Sequence, residues 1–206
     1  MKTKLNRTRD ALVYLEHYIS GKTVDVGAGS AKYKSIIKKH TSEYITFDSV
    51  SGDNIDIVGD VLDMPFKDSS FDTVVSTQVL EHVKKPWIMI SEISRILKTG
   101  GTCILTAPFI TPYHSDPYDY FRFTKDGMLS LFQDDFEIIE CGPYGKTFMV
   151  FFESIKQVYF SPYSKNKRGI WSDRFLRYFE KLCFFFDKFV KNKQIYANVY
   201  IVARKK

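Results

Sequence analysis

Val24-Asp25-Val26-Gly27-Ala28-Gly29-Ser30 decides the fold class. Residues 23–26 form a short apolar strand that runs into two glycines and then a helical stretch through Lys39. A strand that ends in glycines and enters a helix makes a tight turn whose backbone can approach a ligand closely. Outward from this turn the pattern repeats. Residues 44–47 form a second strand ending at Asp48, 55–58 a third ending at Gly59-Asp60, and 71–76 a fourth. Pro86 opens a helix through Lys98 that Thr99-Gly100-Gly101 closes, with proline just inside the start and glycine past the end. Residues 102–106, 136–140 and 196–203 supply the fifth, sixth and seventh strands. Ahead of the turn, Leu5, Leu12, Leu15 and Ile19 give an amphipathic helix over 5–19. This alternation predicts an α/β fold: a Rossmann-like, seven-stranded, mostly parallel sheet with helices on both faces.

Composition removes several classes. Hydrophobic residues at 44% and charged residues at 26% are those of a chain that buries a core, which excludes a disordered or low-complexity protein. No run of 18 apolar residues is present, so no conventional transmembrane helix is expected. The basic stretch 1–10 leads into residues carrying Glu16 and His17, which is not a signal-peptide core. Cys103, Cys141 and Cys183 are widely spaced and odd in number, as in a cytoplasmic protein with reduced thiols. The net charge of +6 divides unevenly. Residues 1–150 hold 17 Lys and Arg against 20 Asp and Glu, whereas residues 151–206 hold 13 against 4. An acidic body at −3 therefore carries a basic tail at +9, and the tail also holds 15 of the 33 aromatic residues.

The turn itself discriminates between ligands. A dinucleotide site wants a third glycine where this chain has Lys32, which disfavours the alternative of an NAD-dependent oxidoreductase. Asp25, at the end of the first strand, can receive a ligand ammonium and would repel a pyrophosphate. Asp25-Val26-Gly27-Ala28-Gly29 resembles the first motif of class I S-adenosylmethionine-dependent methyltransferases, in particular the group called methyltransferase type 11. The resemblance continues in order through Asp48, the segment from Gly59-Asp60 to Pro65-Phe66, the segment 71–83 and Arg95-Ile96-Leu97-Lys98-Thr99-Gly100-Gly101. It covers roughly residues 20–140. It implies S-adenosylmethionine as cofactor, held by Asp25, Gly27, Ala28, Gly29, Asp48, Asp60, Leu62 and Gln78. Asp48 would bind the ribose hydroxyls, and Asp60 the adenine amine.

The acceptor belongs near the loops after strands four and five. Residues 107–124 pack three prolines, six aromatic residues, His114, Asp116, Asp119 and Arg122 into 18 positions, a composition typical of functional loops. The loop resembles one found in small methyltransferases linked to cell-surface glycan synthesis, implying a small-molecule or glycan acceptor, lipid-linked in one version. His114 is the candidate general base, since its ordinary pKa lies near working pH. Tyr113, His114, Tyr118, Asp119 and Arg122 are the candidate acceptor-binding residues, with an internal Asp119–Arg122 ion pair as the structural alternative. Glu81-His82 resembles the end of a Glu-x-x-Glu-His magnesium motif of other methyltransferases. Gln78 replaces the first carboxylate by a neutral ligand, and no metal is expected.

The chain reads as one domain over residues 1–206, with a basic aromatic helical insertion at about 147–192, before the last strand. Within it, helices over 148–160 and 171–190 flank a polar loop over 161–169. Trp171, Phe175, Tyr178, Leu182, Phe185 and Phe189 step by three and four to form one apolar stripe, with Phe184 toward the polar side. Arg174, Arg177, Lys181 and Lys188 flank the stripe. Three readings stay open: a cap over the active site, peripheral contact with the inner face of an anionic membrane, and homodimerisation or capture of an anionic acceptor. No RNA-binding module is recognisable, which leaves nucleic acid the least favoured partner. A non-catalytic methyltransferase-fold subunit is the remaining alternative, and either a monomer or a homodimer fits.

Overall fold

The computed structural model describes residues 5–115, 117–160, 170–190 and 194–206. In chain order the elements are α1 (Thr8–Leu15), β1 (Gly21–Val26), α2 (Lys34–Ile37), β2 (Thr41–Asp48), β3 (Ile57–Val58), β4 (Phe71–Thr77) and α3 (Pro86–Ile96). There follow β5 (Leu97–Pro108), α4 (Lys125–Phe132), β6 (Phe136–Tyr144), α5 (Thr147–Phe160), α6 (Ile170–Phe186) and β7 (Asn198–Lys205). The strands form one seven-stranded sheet in the order β3-β2-β1-β4-β5-β7-β6. Its first five strands run parallel and β7 runs antiparallel to both neighbours. This is the Rossmann-like architecture that the alternating pattern predicts.

Successive strand residues feed opposite faces of the sheet. Val74, Cys103, Leu105, Val199 and Ile201 join Met89, Ile93 and Ile96 of α3 and Met128 and Phe132 of α4 in one core. Val75, Ile104 and Val202 join Leu12 and Leu15 of α1 and Ile36 and Ile37 of α2 in the other. Each fully buried Leu, Ile or Val contributes about 1.5–3 kcal/mol, so the two layers dominate stability.

Several boundaries differ from expectation, for local reasons. The helix expected through Lys39 is cut to one α-turn and a 3₁₀ turn, because Ala31 sits at φ +53° and the segment before Lys34 turns instead. α4 has no counterpart among the expected elements; Thr124 caps it by accepting the Gly127 amide at 3.0 Å. The last two strands form an antiparallel pair, with β7 inside and β6 at the edge. β7 is buried continuously from Val199 to Ala203, as a strand with neighbours on both sides requires.

The insertion corrects the expected stripe. α5 and α6 pack through Phe148, Met149 and Phe152 against Leu176, Phe179, Cys183 and Phe184. Phe175, Tyr178, Leu182, Phe185 and Phe189 face solvent instead, with Phe175 61% and Phe189 69% exposed. The Trp171 side chain and the expected loop 161–169 lie outside the described residues. Asp187 explains the phase of the helix. Its buried carboxylate accepts the Phe148 amide at 2.8 Å and the Met149 amide at 3.2 Å, satisfying donors at the start of α5. That capping turns the face leading to Asp187 inward, and Phe184 goes with it.

Candidate active site

The sheet order reverses between β1 and β4, which leaves a crevice beyond their carboxyl ends. The β1 turn forms its floor. Gly27 and Gly29 adopt φ +72° and +54°, in the left-handed region that favours glycine. A Cβ on Gly27 would lie 2.2 Å from the Val79 side chain, so this position also has no room. The Gly27 and Ala28 amides donate to the Phe47 carbonyl, and the Gly29 amide donates to Asp48 Oδ2 at 2.8 Å. Asp48 Oδ1 accepts from the Val50 amide at 3.1 Å, so the acid at the end of β2 ties together the turn and the following segment.

A cavity of about 840 Å³ opens above this floor. Gly27, Gly29, Asp48, Asp60, Leu62 and Gln78 line it, and so does Tyr118 from the loop after β5. Asp25 and Ala28 are not among its lining residues. Asp25 is buried beneath the turn, where Tyr44 Oη donates to Oδ2 at 2.8 Å. Burial pushes the Asp25 carboxyl up to about 6, opposed by the Tyr44 hydroxyl. Asp60 Oδ1 accepts the Leu62 amide at 2.9 Å and so shapes the wall it belongs to. Gln78 is held at φ +57°, its amide donating to Thr106 Oγ1 and Tyr144 Oη.

Ser49, Val50, Lys84 and Pro117 complete the wall without having been sequence candidates, and Gly59, Val61, Val79 and Val83 do so from within the segments 59–66 and 71–83 that carry the resemblance. His82, weighed there only as part of a metal motif, also lines the cavity. Val50 carried a signal, being an apolar residue two positions after the β2 acid. Arg95, quoted in the sequence as part of the 95–101 motif, supports this wall from behind. Arg95 on α3 bonds Glu92 through two nitrogens and donates to the Met64 and Phe66 carbonyls and to Asp68. These bonds pin the segment that follows the Asp60–Leu62 wall.

The loop after β5 is organised around one guanidinium. Arg122 bonds both Asp119 oxygens and donates to the carbonyls of Thr111, Pro112 and Phe121. Asp119 in turn accepts the His114 amide at 2.9 Å. Burial would raise the Asp119 pKa, but Arg122 and the His114 amide hold it below the usual carboxylate value. The structure therefore brings Asp119, Arg122 and His114 together within the loop, outside the cavity wall. His114 turns its ring toward Glu81, with Nε2 3.8 Å from Oε1, and the Glu81 carboxylate is the main cause that raises its pKa. Tyr113, Tyr118 and Tyr120 are exposed; Tyr118 and Tyr120 lie 5.6 Å apart between ring centroids.

Residues 24–105 match the family model described as a methyltransferase domain. A demethylmenaquinone methyltransferase of Staphylococcus saprophyticus is 29% identical over 141 residues, a match spanning 58% of this chain and 60% of that protein. Among solved structures, a putative methyltransferase from Bacillus halodurans superposes with a TM-score of 0.62 at 18% identity, covering 96% of this chain and 98% of that one. A geranyl diphosphate C-methyltransferase from Streptomyces coelicolor, solved with Mg2+, geranyl diphosphate and S-adenosyl-L-homocysteine, also gives 0.62, at 15% identity, covering 95% and 77%. At these identities the structures show a shared fold.

Proposed function

We propose that this chain, whose residues 24–105 match a methyltransferase-domain model and whose motifs resemble those of the class I, type 11 group, transfers a methyl group from S-adenosylmethionine to a small-molecule or glycan acceptor. The observation that carries the reading is the Gly27–Gly29 turn beneath a cavity that also takes in Asp48 and Asp60. The donor set fits such a cofactor. Asp48 and Asp60 both line the cavity, the first a carboxylate suited to accept from two vicinal hydroxyls and the second one suited to accept from an exocyclic amine. A Cβ on Gly29 would meet nothing within 4 Å, so the turn leaves open space for a ligand close to the backbone. Asp25 supplies negative charge beneath the turn for a cationic amino-acid end, and Ala28 and Gln78 hold the shape of the turn and the adjoining wall.

When bound, the cofactor supplies a sulfonium methyl that is already activated. The protein then has to align an acceptor in line with that methyl and exclude water. Tyr118 lines the cavity, and Tyr113 and Tyr120 stand exposed on the same loop, suited to stacking on a sugar or another ring. Asp119 and Arg122 hold this loop in position. His114, beside Glu81 and His82, is the base candidate for a hydroxyl acceptor.

The test is transfer of labelled methyl from S-adenosylmethionine into a panel of glycan precursors, free and lipid-linked. Incorporation that Tyr118→Ala reduces at least tenfold, with cofactor affinity unchanged, is the expected result. Cofactor binding without any transfer would favour the non-catalytic subunit.

The exposed aromatic face of α6 favours one further element: peripheral docking on an anionic membrane, suited to a lipid-linked acceptor. No helix among the described residues is long and apolar enough to cross a membrane.

A further inference from the structure

Glu81 is fully buried, and neither of its carboxylate oxygens accepts a hydrogen bond among the described residues. Two imidazoles face it, His82 with Nε2 3.7 Å from Oε1 and His114 with Nε2 at 3.8 Å. The far nitrogen of each ring is already engaged: His82 Nδ1 on the Tyr118 carbonyl, and His114 Nδ1 on the Pro112 carbonyl at 3.1 Å. A backbone carbonyl only accepts, so each Nδ1 carries the hydrogen, and a neutral ring then presents its lone pair at Nε2. One carboxylate oxygen and two imidazole nitrogens thus converge within 4.8 Å of one another. With both rings neutral, three acceptors face one another, and a cation, whether a proton or a metal ion, is needed to join them.

We propose that Glu81, His82 and His114 bind one divalent transition-metal ion of the zinc class. Carbonyls that pin the far nitrogens of metal-binding imidazoles are the usual means of orienting such ligands. Two imidazoles and a carboxylate suit Zn²⁺ or Fe²⁺ and leave coordination positions open, whereas Mg²⁺ and Ca²⁺ prefer oxygen throughout. Bonds of about 2.1 Å place tetrahedral ligand atoms roughly 3.4 Å apart, so the carboxylate–imidazole spacings need to close by only a few tenths of an ångström. Gln78 takes no part, since its amide is committed to Thr106 and Tyr144. The third ligand comes instead from the loop after β5, held by Asp119 through the His114 amide.

His82 and Tyr118 line the cofactor cavity, so the ion borders the space where the methyl-transfer reading, on which its role rests, puts the acceptor. There the ion would polarise an acceptor oxygen in place of His114 acting as base. Binding of the ion does not itself depend on that reading.

The experiment is titration of tag-free, chelator-treated protein with Zn²⁺ in a calorimeter and with Co²⁺ in a visible spectrometer. One equivalent should bind, and Co²⁺ should develop ligand-field absorption. Glu81→Gln and His114→Ala should each weaken binding about 100-fold or more, since even a supporting residue is worth 10–100-fold. His40→Ala, at a separate pair with Glu16, should leave it unchanged. S-adenosylmethionine titrated into each variant reports whether the fold and the cofactor site survive, separately from the metal. Wild-type protein that binds no more metal than Glu81→Gln would overturn the proposal and leave a protonated His114 as the partner of Glu81. Loss of the metal in His40→Ala alone would overturn it as well.

Discussion

A carboxyl group as buried as Asp25, 4% exposed, carries its charge at a cost that burial sets. Burial pushes its pKa up to about 6 from the ordinary carboxylate value, which sets the sign of the pH effect. The stability that Asp25 lends by taking up a proton is fully present below the unfolded value near 4, and it is lost as pH rises through about 6. Ligand-free protein should therefore be less stable at pH 7.5 than at pH 5.5 on this residue's account. Asp25→Asn should flatten that dependence in thermal denaturation. Affinity for a cationic cofactor should run the other way, weakening several-fold from pH 7 to pH 5 in wild type and not in Asp25→Asn. Gly27 shows a different constraint. An added methyl meets Val79 at a φ that an L-residue resists, so Gly27→Ala should cost about 1–3 kcal/mol in denaturant unfolding and abolish cofactor affinity. Both residues could be picked from the sequence because a strand end and a positive φ are local matters. That Asp25 lies under the turn and outside the cavity wall depends on Tyr44, which comes from the neighbouring strand.

At the scale of elements, α6 separates what periodicity can and cannot decide. Apolar residues follow both the 175, 178, 182, 185 track and the 176, 179, 183, 186 track, so the helix is apolar on more than one face. A hydrophobic pattern gives such a helix its existence but not its phase. The phase comes from Asp187 reaching the start of α5, a contact 39 residues away in sequence. Phe179→Ala should therefore lower stability by about 1–3 kcal/mol, whereas Phe175→Ala should stay within about 0.5 kcal/mol. Asp187→Ala should cost about 1–3 kcal/mol, since it strands two amide donors at the α5 start. Equal losses at 175 and 179 would contradict the packing described. The first three strands were legible because each is short, apolar and ends at glycine or aspartate. α4 was not, since Gly127 interrupts its pattern and its Thr124 cap closes a loop rich in proline and aromatic residues. The meeting of Glu81, His82 and His114 joins two loops that only the parallel pairing of β4 and β5 brings together.

For the whole molecule, the charge of +6 is a sum of unlike parts, −3 over residues 1–150 and +9 beyond. Arg174, Arg177 and Lys181 of the basic part belong to the helix whose aromatic face the fold leaves exposed, while the cavity above the Gly27–Gly29 turn sits in the acidic body. Protein mixed with vesicles containing anionic phospholipid should float with them. Flotation should fall as salt rises toward 1 M, where the Debye length is about 3 Å. Removing charge and apolar area together, with Arg177→Gln, Lys181→Gln and Phe185→Ser, should abolish flotation; wild-type protein that stays at the bottom would remove the membrane from the account. The methyl-transfer reading itself rests on the turn, Asp48 and the cavity between them. Calorimetric titration of S-adenosylmethionine into wild type, Asp48→Ala and Gly27→Ala, with NAD as the competing ligand class, tests it most directly. One site is expected in wild type, at least tenfold weaker binding in Asp48→Ala, none in Gly27→Ala and no heat from NAD. Wild-type protein that ignores S-adenosylmethionine, or an Asp48→Ala variant that binds it as wild type does, would mean that the turn and Asp48 do not form a cofactor site.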